Sequence, residues 1–309
     1  MTPEQRIDKL NRWTSPPSPA EEARLDRAKR MVTQAVKGHP RFANLGLTVE
    51  AKGSWANNTN VSSDSDMDIK VEFTRRVFKG VKTTEMSFWE LYLQNREYTG
   101  PWSAEEFRSE LGIALKKVSS NMDATHNVAF YVPSVPGSRP DTDVVPCFTY
   151  IHDSNSGRPT SQGTVVFTKD GKHIINWSQQ QLDNGRTKNV ATGRRYKYAV
   201  RALKAVENDL ARAGAIKELP SYFMECLVYN VPNSIFLGSS FDFLSSSFDH
   251  AFRGVLTHLR GTLDWWFGNT DAMTEPNEIK KLFGQTQKWT ASDGRKLVAE
   301  AWNYLGYKD

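Results

Sequence analysis

The chain has 309 residues, 40 of them Lys or Arg and 35 Asp or Glu, giving a formal charge of +5, a mild basic excess that suits a protein handling anions but does not by itself argue for DNA or RNA binding. Its hydrophobic share of 39% is enough for a packed core and excludes disorder as a global state, and the length allows two lobes of ordinary domain size. Two distant cysteines, Cys147 and Cys226, exclude a disulfide framework and a four-cysteine zinc site, the six histidines show no HExxH spacing, and no run approaches the roughly 18 apolar residues of a membrane span.

The opening MTPEQRIDKLNRW is polar and lacks an apolar leader core, so a reducing, cytoplasmic setting without a membrane is expected. After the breaker run at 15–19, Ser18 is placed to cap a charged helix over 20–37, with Ala23, Leu25, Ala28, Val32 and Ala35 on its apolar side. Gly38-His39-Pro40 ends it. A short strand is predicted at 47–52, then a turn or short helix at 53–58. Residues 66–73 alternate polar and apolar with period two and read as a strand. Helical patterns follow at 86–98 and 103–118, and strands at 127–132, 143–150 and 163–167, the last closed by a turn at 169–172. Beyond Asn176 the pattern becomes helical: 178–182, a strong amphipathic helix over 193–213, then 221–229, 241–261, 275–284 and 293–304. Trp265-Trp266 reads as an apolar anchor packed between helices. The fold class is therefore α+β, with one unit over 1–175 and a helical unit over 176–309.

The most informative stretch is Gly53-Ser54-Trp55-Ala56-Asn57-Asn58-Thr59-Asn60, followed by Ser65-Asp66-Met67-Asp68. Residues two apart on a strand share a face, so Asp66 and Asp68 project together. Paired carboxylates repel unless a hard cation lies between them, and magnesium is the usual one. Twelve residues before Asp66, Gly53-Ser54 is a turn where a glycine backbone lets a phosphate approach. Phosphates beside paired carboxylates are the requirements of two-metal phosphoryl or nucleotidyl transfer. Either half alone is weak; the combination leading into an apolar strand is much more specific. A third carboxylate comes from Asp141-Thr142-Asp143-Val144-Val145. Asp141 and Asp143 share a strand face, so spacing alone does not choose between them. Asp143 leads directly into the apolar Val144-Val145, whereas Asp141 follows Pro140 and reads as a turn residue. Asn57 and Asn58 are candidates for a nucleotide edge or, more commonly, for bonding the turn backbone.

On GSWANNTNVSSDSDMDI, DVVPCF, KNVATGRRYKYAVRALK and PSYFMECLVYNVP, the chain resembles the bacterial CD-NTases, the cyclic GMP-AMP synthase/DncV-like nucleotidyltransferases of CBASS antiphage defence. The resemblance runs in order from about residue 20 to 240. The GS-x(11)-D-x-D pattern belongs to the wider polymerase-β-like superfamily, while the Asn-Asn-Thr insert and later blocks are narrower. The resemblance implies a two-lobed fold, with a nucleotidyltransferase palm of mixed β-sheet and helices and a C-terminal helical lobe. It implies synthesis of a cyclic di- or trinucleotide from NTPs with release of pyrophosphate, ATP and a pyrimidine NTP being candidate substrates. It implies two Mg2+ ions on Asp66, Asp68 and Asp143, with Mn2+ as a substitute, and an effector, encoded nearby, that responds to the product. Nucleic acid is not implied as an activator.

On the helix after Gly193, Arg194, Lys197, Arg201 and Lys204 fall on one face, beside a separate apolar stripe of Tyr196, Val200, Leu203 and Leu210. Such a basic face is ordinarily solvated. The resemblance places a triphosphate-contacting lysine on this helix and a serine at the start of the next, in position Lys204 and Ser221. Lys197 joins them as a nucleotide-binding candidate. Ser221 has an equal alternative as an N-cap after Pro220. Tyr222 is a candidate for stacking on a base, with core packing as its plainer role. Two rival readings stand beside the cyclase: transfer to linear oligonucleotides, RNA or protein, and a catalytically silent nucleotide-binding scaffold.

Overall fold

The computed structural model describes residues 1–15, 17–61, 66–80, 102–152, 161–238, 247–285 and 287–308. The chain forms two compact units. One comprises Ser18–Ala56 and Asp64–Gln179; the other comprises Met1–Pro17, Asn57–Ser63 and Gln180–Asp309. Segments 1–17 and 57–63 are grouped with the C-terminal helices. The first joins them because Leu10 of α1 (Pro3–Thr14) is buried in the helical core.

The sheet unit begins with α2 (Pro19–Lys37). Its Ser18 cap and Glu21 bond each other's backbone reciprocally, which satisfies amides that the first turn leaves open. The buried stripe Leu25, Ala28, Val32 and Ala35 is the one the periodicity picks out. Then follow β1 (Leu47–Lys52), the single turn α3 (Gly53–Ala56), β2 (Met67–Gly80), α4 (Ala104–Val118), β3 (Phe130–Val132), β4 (Thr142–His152), β5 (Ser161–Phe167) and β6 (His173–Asn176). The helix expected at 86–98 lies outside the described residues. The strand order is β1-β2-β4-β5-β6, with β3 also pairing β4. β2 and β4 run parallel, and the other pairs are antiparallel. A parallel pair needs a long crossover, and α4 lies in it. Met67, Ile69, Val71 and Phe73 of β2 alternate into the core, as the period-two pattern requires. Phe148 of β4 is the centre of that core, its ring 5.4 Å from Phe107, 5.5 Å from Phe78, 5.7 Å from Phe167 and 6.0 Å from Phe73.

The helical unit contains α1, α5 (Ser178–Ala191), α6 (Arg195–Arg212), α7 (Ser221–Tyr229), α8 (Asn233–Leu237), α9 (Phe248–Thr262) and α10 (Ala291–Leu305). No described helix is long and apolar enough to cross a membrane. The segment expected as a short helix at 178–182 continues to Ala191, and the one expected at 241–261 is described only from its Ser247 cap onward. The helix expected at 275–284 does not form. There the Asn277 side-chain oxygen accepts from the amides of Ile279 and Lys280, both at 2.9 Å, and Thr274 bridges to Lys281. Local side-chain bonds to the backbone have displaced the helical ones. Trp265 and Trp266 do not pack between helices. They are 72% and 83% exposed, on a turn whose Asp264 carboxylate accepts from the amides of Trp266 and Phe267.

The central helix α6 is not a half-solvated amphipath. Every residue from 199 to 207 is buried, including Arg201, Lys204 and Glu207. Each of these charges has polar partners: Arg201 donates to the carbonyls of Asn58 (2.9 Å) and Thr14 (2.6 Å), Lys204 to the Thr59 hydroxyl (3.3 Å), and Glu207 accepts from the Leu219 amide (2.8 Å). Burial of charge without such partners would be strongly unfavourable.

Phe148→Ala would remove the ring on which the sheet core converges. It is expected to lower the unfolding free energy by about 3–5 kcal/mol, measured by urea denaturation, and a loss under about 1 kcal/mol would contradict this account of the core.

Candidate active site

The sheet unit brings two of the expected acids side by side. In the parallel β2–β4 ladder Asp68 is in register with Asp143, so both side chains leave the same face on adjacent strands. On the other edge of β2, Lys52 is in register with Asp68 and its ammonium lies 3.9 Å from an Asp68 carboxylate oxygen. The Asp143 carboxyl is held above its ordinary range, first by burial and next by the Asp68 charge; Lys52 and His126 pull the other way.

Gly53 closes the arrangement. It follows β1 directly with φ +69°, a left-handed conformation that glycine adopts without strain. A β-carbon built there would lie 2.3 Å from Oδ2 of Asp68. Any other residue at 53 would be strained at this φ and would force the Asp68 carboxylate to move.

Asp66 lies just ahead of β2 and is exposed. Its charge, with those of Asp141 and Asp143, bears on the phenol of Tyr131, the β3 residue in register with Asp143. The Tyr131 hydroxyl donates to Asp141 at 2.7 Å, and that bond, burial and the surrounding carboxylates push its pKa up to about 12. Asp141 also accepts from the Ser134 amide at 2.7 Å, and these bonds hold its carboxyl below the ordinary range. Asp141 is thus committed to the β3–β4 edge, while Asp143 faces Asp68. Among the described residues no three acidic, histidine or cysteine side chains stand together as a ready metal cage. Asp68 and Asp143 are brought together; Asp66 is placed at the entrance to the strand that carries one of them.

The remaining candidates belong to the helical unit. Asn57 donates to Glu225 at 2.8 Å and Lys204 donates to Thr59. Lys197 is half-buried, and its pKa is lowered by burial, against the opposing field of Glu225. Ser221 is the first residue of α7 and exposed, and it is not the cap: Pro220 occupies that position and makes no side-chain bond. The Tyr222 hydroxyl donates to Glu275 at 3.1 Å and its ring packs edge-on against Trp289, the core placement of the two open for it. Glu225, which receives both Asn57 and Thr59, was not singled out from the sequence. Its one signal is an acid set between Met224 and Cys226 in an otherwise apolar helix.

A mixed sheet with in-register aspartates on a parallel strand pair, a glycine-serine turn against one of them and a separate helical unit are the features expected of a nucleotidyltransferase. Residues 183–306 match the model of the cGAS/DncV-like nucleotidyltransferase C-terminal helical domain. The chain is 32% identical over 303 residues to the cyclic dipyrimidine nucleotide synthase CdnE of Legionella pneumophila, covering 96% of both chains. It is 30% identical to the cyclic dipurine nucleotide synthase of Elizabethkingia meningoseptica, covering 97% of this chain and 98% of that one. The solved structure of Elizabethkingia meningoseptica CdnE with GTP and Apcpp superposes with a TM-score of 0.78 at 28% identity, over 99% of this chain and all of that one. The chain belongs to the CD-NTase family of nucleotidyltransferases.

Two expected outcomes follow from this geometry. Gly53→Ala forces a left-handed alanine against Asp68 and is expected to lose at least about 1–2 kcal/mol of stability, read in urea, together with transferase activity; wild-type values for both would mean the turn is not held against Asp68. For Asp143, a carboxyl harder to ionise in the folded chain than in the unfolded one loses stability as pH rises from its ordinary value of 3.8 through its raised one. In EDTA at neutral pH, Asp143→Asn is therefore expected to melt above wild type, and an unchanged or lower Tm would refute the electrostatic conflict.

Proposed function

We propose that the protein joins NTPs into a cyclic di- or trinucleotide, releasing pyrophosphate at each bond, and that the product signals to a nucleotide-responsive effector in antiphage defence. The observation that carries this is the in-register pair Asp68 and Asp143 beside the glycine-serine turn. The family relationship supports it, since relatives that match nearly end to end are named as cyclic dinucleotide synthases.

The donor set fits magnesium: two facing carboxylates, one raised by burial and by the other's charge, and a cradle that a β-carbon at 53 would fill. Magnesium held by Asp68 and Asp143, with Asp66 as the third ligand, would neutralise the triphosphate and lower the pKa of the attacking ribose hydroxyl. Gly53 lets the backbone of the Ser54 turn approach phosphate oxygens. Lys204 and Ser221 are assigned to the triphosphate by their place in the family pattern, with Asn57 and Lys197 as secondary contacts. The hydroxyl oxygen forms a bond to the α-phosphorus as the bond from that phosphorus to the leaving pyrophosphate breaks in line. A linear intermediate forms first, and the same acids then serve its closure.

Relatives are named for pyrimidine and for purine products, so the test supplies all four NTPs. Purified protein with NTPs and magnesium is expected to yield a phosphatase-resistant product with the mass of two or three nucleoside monophosphates less the same number of waters. The Asp66→Asn/Asp68→Asn protein should stay folded and lose more than about 100-fold in rate, beyond the 10–100-fold typical of indirect metal-site changes. Phosphatase-sensitive linear products would support the oligonucleotide alternative. Full activity in the double variant would end the assignment.

A further inference from the structure

One buried cluster in the helical unit encloses two of the residues assigned above to the nucleotide, Asn57 and Lys204, together with Thr59 and Glu225, which have no assigned part. Glu225 of α7 is 2% exposed, Thr59 0%, and Asn57 and Lys204 3% each. The Glu225 carboxylate accepts from Asn57 Nδ2 at 2.8 Å and Gln181 Nε2 at 3.2 Å on one oxygen, and from the Thr59 hydroxyl at 3.0 Å on the other. Lys204 Nζ donates to the same Thr59 hydroxyl at 3.3 Å. An ammonium can only donate, so Thr59 must accept from Lys204, and its single proton is then directed at Glu225. The direction of the chain Lys204–Thr59–Glu225 is therefore determined. A second arm runs from Glu225 to Asn57. Both arms converge on the segment 57–61, which follows Gly53-Ser54 by two residues and precedes Asp66 by four.

A buried carboxylate with three donors is more than a helix needs at this place, because apolar residues of similar volume serve stability as well or better. What a directed, fully enclosed network supplies is position. We infer that Glu225 is a positioning residue for nucleotide binding: its carboxylate sets the Asn57–Thr59 backbone and, through the Thr59 hydroxyl, the placement of the Lys204 ammonium. This rests on the assignment of Lys204 to the triphosphate made above. Glu225 itself touches no substrate in this scheme. Replacing it by glutamine keeps an acceptor for Asn57 or Gln181, but removes the negative charge opposite Lys204 and puts an amide at risk of facing the Thr59 proton.

The test compares steady-state kinetics and melting of full-length wild type with Glu225→Gln, Thr59→Val, the double variant and Lys204→Met. Glu225→Gln is expected to raise KM for NTP about 10-fold, the order expected when one partner of a buried charged bond is lost, with kcat within about 3-fold. Thr59→Val, which keeps the carboxylate but cuts the relay, should give a similar rise, and the double variant no more than the larger single one. A purely structural role would lower Tm and the active fraction and leave KM alone. Wild-type KM in folded Glu225→Gln and Thr59→Val, beside a raised KM in Lys204→Met, would overturn the positioning role only. Wild-type KM in Lys204→Met would remove the triphosphate assignment, and the relay with it. Should Glu225→Gln fail to fold, Thr59→Val decides alone, since its expected rise or its absence bears on the same relay.

Discussion

The parallel pairing of β2 with β4 is the constraint on which the site depends. Both strands carry apolar residues to one core face, and Phe73 and Phe148 lock the register from that side. Because side chains in register leave the same face, a ladder that pairs Phe73 with Phe148 must also pair Asp68 with Asp143. A slip of one residue would turn the core set of β2 to the opposite face from that of Phe148. Core packing thus enforces a juxtaposition of like charges that the sheet would not otherwise favour. Lys52 offsets part of it from the β1 edge. The remainder is a local destabilisation, set where charge from a bound cation would relieve it, and such conflicts between stability and placement are a mark of functional sites.

The sheet and its first acids were legible because their signals are local. The alternation at 66–73 and the apolar run after Asp143 need only a period-two count. Choosing between Asp141 and Asp143 needed more. They share a strand face, and what separates them is a tyrosine ten residues upstream, on a strand whose pairing places its hydroxyl on Asp141. That bond depends on β3 meeting β4, which spacing within 141–143 does not encode. The same limit explains Trp265 and Trp266. Their hydrophobicity argued for burial, but Asp264 ties their turn into a form that directs them outward. At 275–284 a helical period was present and lost to side-chain bonds made by a single asparagine.

Helix α6 shows a different kind of misreading. Its charges at 201 and 204 sit on one face, and by composition that face belongs in water. Instead it receives backbone carbonyls from α1 and from the segment 57–61, so the same residues are buried and bonded. Burial on all sides was invisible because the covering segments come from over 140 residues away in the chain. The allocation of 1–17 and 57–63 to the helical unit has the same origin: these segments follow the hydrogen bonds and apolar contacts they make there, not their neighbours in sequence.

The signature stretch that begins at Gly53 is thereby divided in a physically meaningful way. Its glycine-serine turn and its aspartates are built into the sheet unit, while Asn57, Asn58 and Thr59 are held by Glu225, Arg201 and Lys204 of the helical unit. A loop anchored only by exposed side chains would fray at little cost. Among the described residues the anchors Arg201, Lys204 and Glu225 are all buried. Ordering a chain segment costs conformational entropy on folding, and for Asn57–Thr59 these buried hydrogen bonds offset part of that cost. The buried polar cluster around Glu225 and the carboxylate conflict at Asp143 are then two forms of the same arrangement. Each holds charged groups at fixed positions in the folded chain, at some cost in stability.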